Sequence, residues 1–356
     1  MELKDYELQV FITHFIPPRI SKTQHLSDFI RPRLTLEYLR SWVRLIKHGT
    51  RGHQPWKRDI MTKPRAKRAE FREEYLAQVI SSLEQIDLKK LVIHIFSNQD
   101  FSYSPLNTNT HVRIHKFEHY NSMNSLNNSP WVVKDKKNPW LLAWENRPLL
   151  RSFAESGSTD AKQILYLIME NDTRITKENL QYWLEYREKL KPLSLIPSFL
   201  LLEFTRASRK WVLTSLHDKK KIKIEDWKRF KFRDLSFLCI PGLFCNVFIL
   251  DQELLTEYVS SSAIDFEKSR ELTWWDSGAR AAMGLQFINI PKGFADRHVF
   301  GVNRDGMGFH AGAMAHHLPN LYASVAELAA KFPDIEEASL FVSELTEVTI
   351  EGNAQL

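Results

Sequence analysis

Cysteine is scarce: only Cys239 and Cys245 occur in 356 residues, and both lie in an apolar stretch. That excludes a disulfide framework and a cysteine zinc cluster, and it fits buried thiols in a reducing compartment. The chain has no GxxxxGK[ST] loop and no GxGxxG after a strand, which argues against nucleoside triphosphatases and dinucleotide dehydrogenases. Its most apolar segment, 235–250, is broken by Pro241, Gly242 and Asn246 and falls short of the about 20 residues that a membrane helix needs. The first residues, MELKDYELQVFITHF, lack the basic start, apolar centre and small-residue cleavage site of a signal peptide. There is no internal repeat or low-complexity tract. The expectation is a cytoplasmic protein, soluble or peripheral on the inner face of the membrane.

What is present is an ordinary globular composition, 43% hydrophobic and 26% charged. The net charge of +6 and isoelectric point near 9.1 favour anionic partners: nucleotides, nucleic acid or an acidic membrane surface. Strand-like runs at 8–13 (LQVFIT), 91–96 (LVIHIF), 112–114, 164–172, 198–204 and 246–250 alternate with helical periodicity. The helices are expected after Thr35, through Phe71 to Leu83, over 141–155 around Pro148, after the cap Thr176 over 177–190, and after the cap Asp251. This alternation predicts βαβ units and a mainly parallel sheet. Segments 210–215 and 221–224 flank a lysine-rich turn and read as a basic β-hairpin inserted into that pattern, and 287–290 reads as a further strand.

The sharpest feature is 164–175, ILYLIMENDTRI, where an apolar run stops at Glu170, Asn171 and Asp172. A run of this kind reads as a central strand buried on both faces, with its acids at the carboxyl end where open α/β sheets bind ligands. Two carboxylates one residue apart suit a hard divalent cation and the phosphates it carries, although an acidic turn that merely caps the next helix fits the same triplet. Later, Trp274, Trp275 and Asp276 precede Ser277 and Gly278 at a helix start. Near the end stand His316 and His317 in HHLPNLY. Adjacent on a strand, the two histidines point to opposite sides, so only one could face the acids.

The acid-ended strand followed at once by the helix NLQYWLEYREKL, then LIPSFLLLEF, a late acid at a helix start and HHLPNLY together resemble bacterial glycosyltransferases of the GT-A fold across residues 5–325. The resemblance implies a GT-A-like α/β fold: a mainly parallel central sheet flanked by helices, with the hairpin as an insertion. It divides the chain into a catalytic domain over 1–325, with a nucleotide-sugar half to 175 and an acceptor half from 176, and an extension over 326–356. It further implies a nucleotide-sugar donor, a glycan or lipid-linked acceptor, and Mn2+ or Mg2+ held by Asp172 and His317, with Glu170 and Asn171 beside them. Asn171 departs from a more acidic motif and supplies a neutral oxygen. Thr13, His14, Arg19, Asn98 and Asp100 fall where such a fold contacts the nucleotide.

Asp276 is suited to general-base attack on the acceptor hydroxyl and equally suited to capping its helix. The lysines Lys219, Lys220, Lys221 and Lys223 read as solvated surface or as a contact for an anionic membrane. A metal-dependent phosphohydrolase is the alternative enzyme class, but it would want a second acidic cluster for two cations. A basic nucleic-acid-binding module is the alternative without catalysis; no recognition motif supports it, and no nucleic-acid partner is expected.

Overall fold

A computed structural model describes residues 2–16, 65–101, 103, 105–118, 139–156, 163–205, 208–216, 223–273, 275–319 and 332–350. The helix expected after Thr35, and Arg19, Trp274, Lys219, Lys220 and Lys221, lie outside them. Four strands run parallel, three of them apolar and the edge strand β3 mixed: β1 (Glu7–His14), β2 (Lys90–Ser97), β3 (Thr110–Lys116) and β4 (Ile164–Glu170), in the order β3, β2, β1, β4. Register aligns their carboxyl ends, so that Thr13 stands between Phe96 of β2 and Glu170 of β4. Beyond β4, the strand β11 (Val247–Leu250) closes the sheet antiparallel. Leu165, Leu167, Ile168 and Met169 of β4 are buried, each contributing about 1.5–3 kcal/mol by leaving water.

Helices cover this sheet. The inner side of α1 (Arg65–Glu84) supplies Leu76, Val79, Ile80 and Leu83 to the same core as β1 and β4. Pro148 stands in the first turn of α2 (Arg147–Ser156), where its missing N–H costs nothing, and this marks the helix start after a 3-10 turn at Pro139–Trp144. Thr176 caps α3 (Lys177–Leu190) in a capping box with Asn179, and Asp251 caps α4 (Gln252–Ser260), both as the sequence predicts.

Two further sheets of short strands stand beyond the parallel one. In one, β5 (Thr173–Arg174) pairs antiparallel with β13 (Met314–His317), which runs parallel to β7 (Leu200–Thr205), itself antiparallel to β8 (Lys210–Leu213). In the other, β14 (Glu347–Ile350) lies beside β9 (Lys228–Phe232), then β10 (Leu235–Cys239), β12 (His298–Gly301) and β6 (Ile196–Pro197). Residues of the 326–356 segment therefore belong to a sheet, and α6 (Ile335–Glu344) adds Ala338 and Val342 to a second buried cluster.

The basic hairpin takes a different form from the one expected. β8 turns back onto β7 because Leu213 and Leu200 share that second buried cluster, while Ile224–Asp226 is a 3-10 turn with Lys223 exposed before it. Residues 287–290 form turns rather than a strand: Asn289 has a left-handed φ of 49°, which breaks an extended run. Cys239 and Cys245 are buried free thiols, as expected. No described helix is long and apolar enough to cross a membrane.

Candidate active site at the carboxyl end of β4

Beyond Glu170 the chain turns through Asn171 and Asp172 into β5, and β5 carries the third sheet to this end of the parallel one. Gly312 makes the approach of β13 possible: a Cβ there would stand 2.4 Å from the Tyr182 Cβ and 2.9 Å from the Glu178 carbonyl oxygen of α3. The Asn179 amide then donates to the carbonyls of Gly312 and Met314, each at 2.9 Å, and pins the start of β13. Strand alternation does the rest. His316 turns to the Trp211 ring at 4.8 Å, and His317 turns inward to the acids.

Asp172 Oδ2 and His317 Nε2 are 3.6 Å apart, an ion pair rather than a hydrogen bond. On the other side of the ring, His317 Nδ1 bonds Glu203 Oε1 at 2.6 Å, and Glu203 is wholly buried in β7. Burial alone would push the imidazole pKa down; Asp172 and Glu203 override it and hold it near 10. Burial likewise pushes Asp172 up, but His317 and then Arg72 outweigh it, so its carboxyl stays below the usual range. At Glu170 the pull of His317 and Arg72 is the weaker influence. Burial, followed by the charge on Asp172, raises it to about 7. Its contact is with Asn246, whose Nδ2 lies 3.5 Å from Oε2 and whose Oδ1 accepts from the Thr173 hydroxyl at 2.9 Å.

From β1, the buried His14 accepts at Nδ1 from the Asn171 amide at 2.8 Å, which leaves the ring proton on Nε2. Burial, reinforced by Arg72, lowers this histidine to about 3, so it is neutral. Among the described residues, two buried polar atoms here lack a hydrogen-bond partner, His14 Nε2 and Asp172 Oδ1. Arg72 bonds the Phe15 carbonyl at 2.9 Å from α1.

The structure thus gathers Thr13, His14, Glu170, Asn171, Asp172 and His317. It places three other candidates in local roles. The Asn98 side chain clamps the main chain of Ile16, bonding both its N–H and its carbonyl at 2.8 Å. Asp100 is exposed and pairs with Lys116. Asp276 is the N-cap of α5 (Ser277–Ala282), its Oδ1 accepting from Ala279 N–H at 2.9 Å. Trp275 packs on Phe244, with ring centres 5.6 Å apart.

Glu203, Asn246 and Arg72 are members that the sequence did not single out. Glu203 did leave a signal, being the lone acid in the apolar strand LLLEFT; a carboxylate in such a strand is costly unless a cation meets it. A scan against protein-family models and a search of curated proteins returned no match for this chain.

Proposed function

We propose that the chain is a glycosyltransferase that moves a sugar from a nucleotide-diphosphate donor to a hydroxyl of a glycan or lipid-linked acceptor, assisted by Mn2+ or Mg2+. The observation that carries this is the meeting of Asp172 and His317 beside Glu170 at the carboxyl end of a parallel strand, the usual ligand crevice of open α/β sheets.

The donor set fits such a cation. Asp172 Oδ1 is a buried oxygen without a hydrogen-bond partner among the described residues, and carboxylate oxygens with an imidazole nitrogen suit Mn2+. Among those residues, no three His, Cys, Asp or Glu side chains form a ready-made cage. Asp172 and His317 would hold the cation, with Glu170 beside them and phosphate oxygens of the donor as further ligands, a common arrangement for Mg2+. When bound, it would stabilise the negative charge on the leaving diphosphate. The buried N–H of His14 supplies a donor for a phosphate or ribose oxygen. Asp276 enters as the cap of α5; the Asp276→Asn measurement in the Discussion decides whether it is also the base.

Thermal shift with nucleotide sugars, with and without Mn2+, tests this. Stabilisation is expected only when nucleotide and metal are both present, and Asp172→Ala should abolish it while the variant stays folded. Metal-independent nucleotide binding, or undiminished affinity in folded Asp172→Ala, would overturn the assignment.

A further inference from the structure

We infer that Glu203 is a positioning residue for the cation site: its carboxylate fixes the ring of His317 so that Nε2, and not Nδ1, is presented beside Asp172. The inference rests on the proposed function in needing a divalent cation there. It follows from three observations on strand register, burial and ring geometry.

Met314, Ala315 and His316 of β13 pair with Leu200, Leu201 and Leu202 of β7, so the next position sets His317 beside Glu203. On its other side, His317 pairs with Thr173 of β5. Thr173, His317 and Glu203 therefore form one cross-strand row, where side chains share a face and touch. The ladder from Met314 to His316 already joins β7 to β13, so the Glu203–His317 bond is not needed to pair the strands.

A carboxylate with no exposed surface on an apolar strand is an expensive feature that a Leu or Met would avoid. What it does here is hold Nδ1–H at 2.6 Å. An imidazole whose Nδ1 carries a proton toward a carboxylate has Nε2 as its only possible ligand nitrogen. In metal sites the outer carboxylate both sets that tautomer and raises the basicity of the ligating nitrogen. His317 Nε2 faces the Asp172 carboxylate. Without Glu203 the ring loses the carboxylate that keeps a proton on Nδ1, and Nε2 is no longer fixed as the cation's nitrogen donor.

The test measures Mn2+ binding, in the presence of uridine diphosphate, by calorimetry and by pulsed electron paramagnetic resonance. Wild type should bind Mn2+ and show modulation from one imidazole nitrogen, and His317→Ala should lose that modulation. Glu203→Leu, which keeps an apolar strand position filled and leaves His317 paired with Asp172, should stay folded, lose the nitrogen modulation and bind Mn2+ about 10- to 100-fold more weakly. Glu203→Gln, whose side-chain oxygen can still accept from Nδ1, should recover part of both. If Glu203→Leu does not fold, Glu203→Met makes the same comparison.

Unchanged affinity and nitrogen modulation in the Leu or Met variant would overturn the role of Glu203 and leave the metal site standing. Absence of Mn2+ binding in wild type would instead overturn the metal site and this inference together.

Discussion

Two acids on this chain look alike in sequence and are treated in opposite ways by the fold. Asp276 sits at the amino end of α5, where the first N–H groups of a helix have no intrahelical acceptor, and its oxygen is taken by Ala279 N–H. Asp172 follows β4, whose N–H groups are committed to neighbouring strands. No local row of free donors waits there, so its charge is met from a distant strand by His317, and Oδ1 still lacks a hydrogen-bond partner among the described residues. An acid at a helix start is readily satisfied by its own backbone; an acid at the end of a buried parallel strand must recruit a counter-charge, and a cation can take part in that.

Breaking the counter-charge should have the largest effect. His317→Ala strands Asp172 and Glu203, and at pH 8 without metal it should cost about 3 kcal/mol in urea denaturation, the lower end for removing one member of a buried ion pair. A loss no larger than that of a helix cap would erase the contrast between the two acids.

Next in size is the response to acid. His14 in the first sheet and His298 in the second region are both pushed down to about 3, chiefly by burial. Their unfolded values are near 6.5, so between about 6.5 and 3 the unfolded chain binds protons that the folded chain refuses. Their share of the stability is therefore complete above pH 6.5 and falls as pH drops, by about 1.4 kcal/mol per pH unit for each histidine. Asp296, raised by burial to about 6, opposes this: its share is present below the unfolded carboxyl pKa and is lost as pH rises to 6. His317, near 10, and Glu170, about 7, hold protons that the unfolded chain gives up, so melting temperatures should rise from pH 8 to about 6.5 and then fall toward pH 5, less steeply in His298→Gln. An identical fall in wild type and His298→Gln would show that the His298 ring is not held neutral.

Smaller still is the cap. Asp276→Ala should lose about 1 kcal/mol with metal-dependent nucleotide binding intact. The smallest effect belongs to Asp276→Asn, which keeps an oxygen for Ala279 N–H and should leave both melting temperature and turnover near wild type. A loss of transfer of roughly 100-fold or more at an unchanged melting temperature would make Asp276 the general base after all.

The parallel sheet was legible because long apolar runs ending in polar residues leave few alternatives, and Thr176 and Asp251 announce their helices by side-chain type and spacing. Alternation said that only one of His316 and His317 faces the acids; that it is His317 follows from the register of β13 on β5 and β7. The second half was harder. β5 and β6 are two residues each, and their pairing depends on partners far along the chain, which local periodicity does not encode. The hairpin went wrong for that reason, since apolar partners on β7, not the lysine-rich turn, decide where β8 folds. Glu203 was missed because an acid within an apolar run looks like an interruption until its partner is known.

The row of Thr173, His317 and Glu203 also sets an order of assembly. As the chain is synthesised, β1 through β4, Asp172 and Glu203 all emerge well before His317. Until that ring arrives, the imidazole that meets both acids is missing, and drawing them together is opposed by their own charge. A nascent chain halted between β4 and β13 holds the strands of the parallel layer yet lacks the histidine at its carboxyl end. The row is complete only once β13 has been made, so its charge balance is settled after the parallel layer exists.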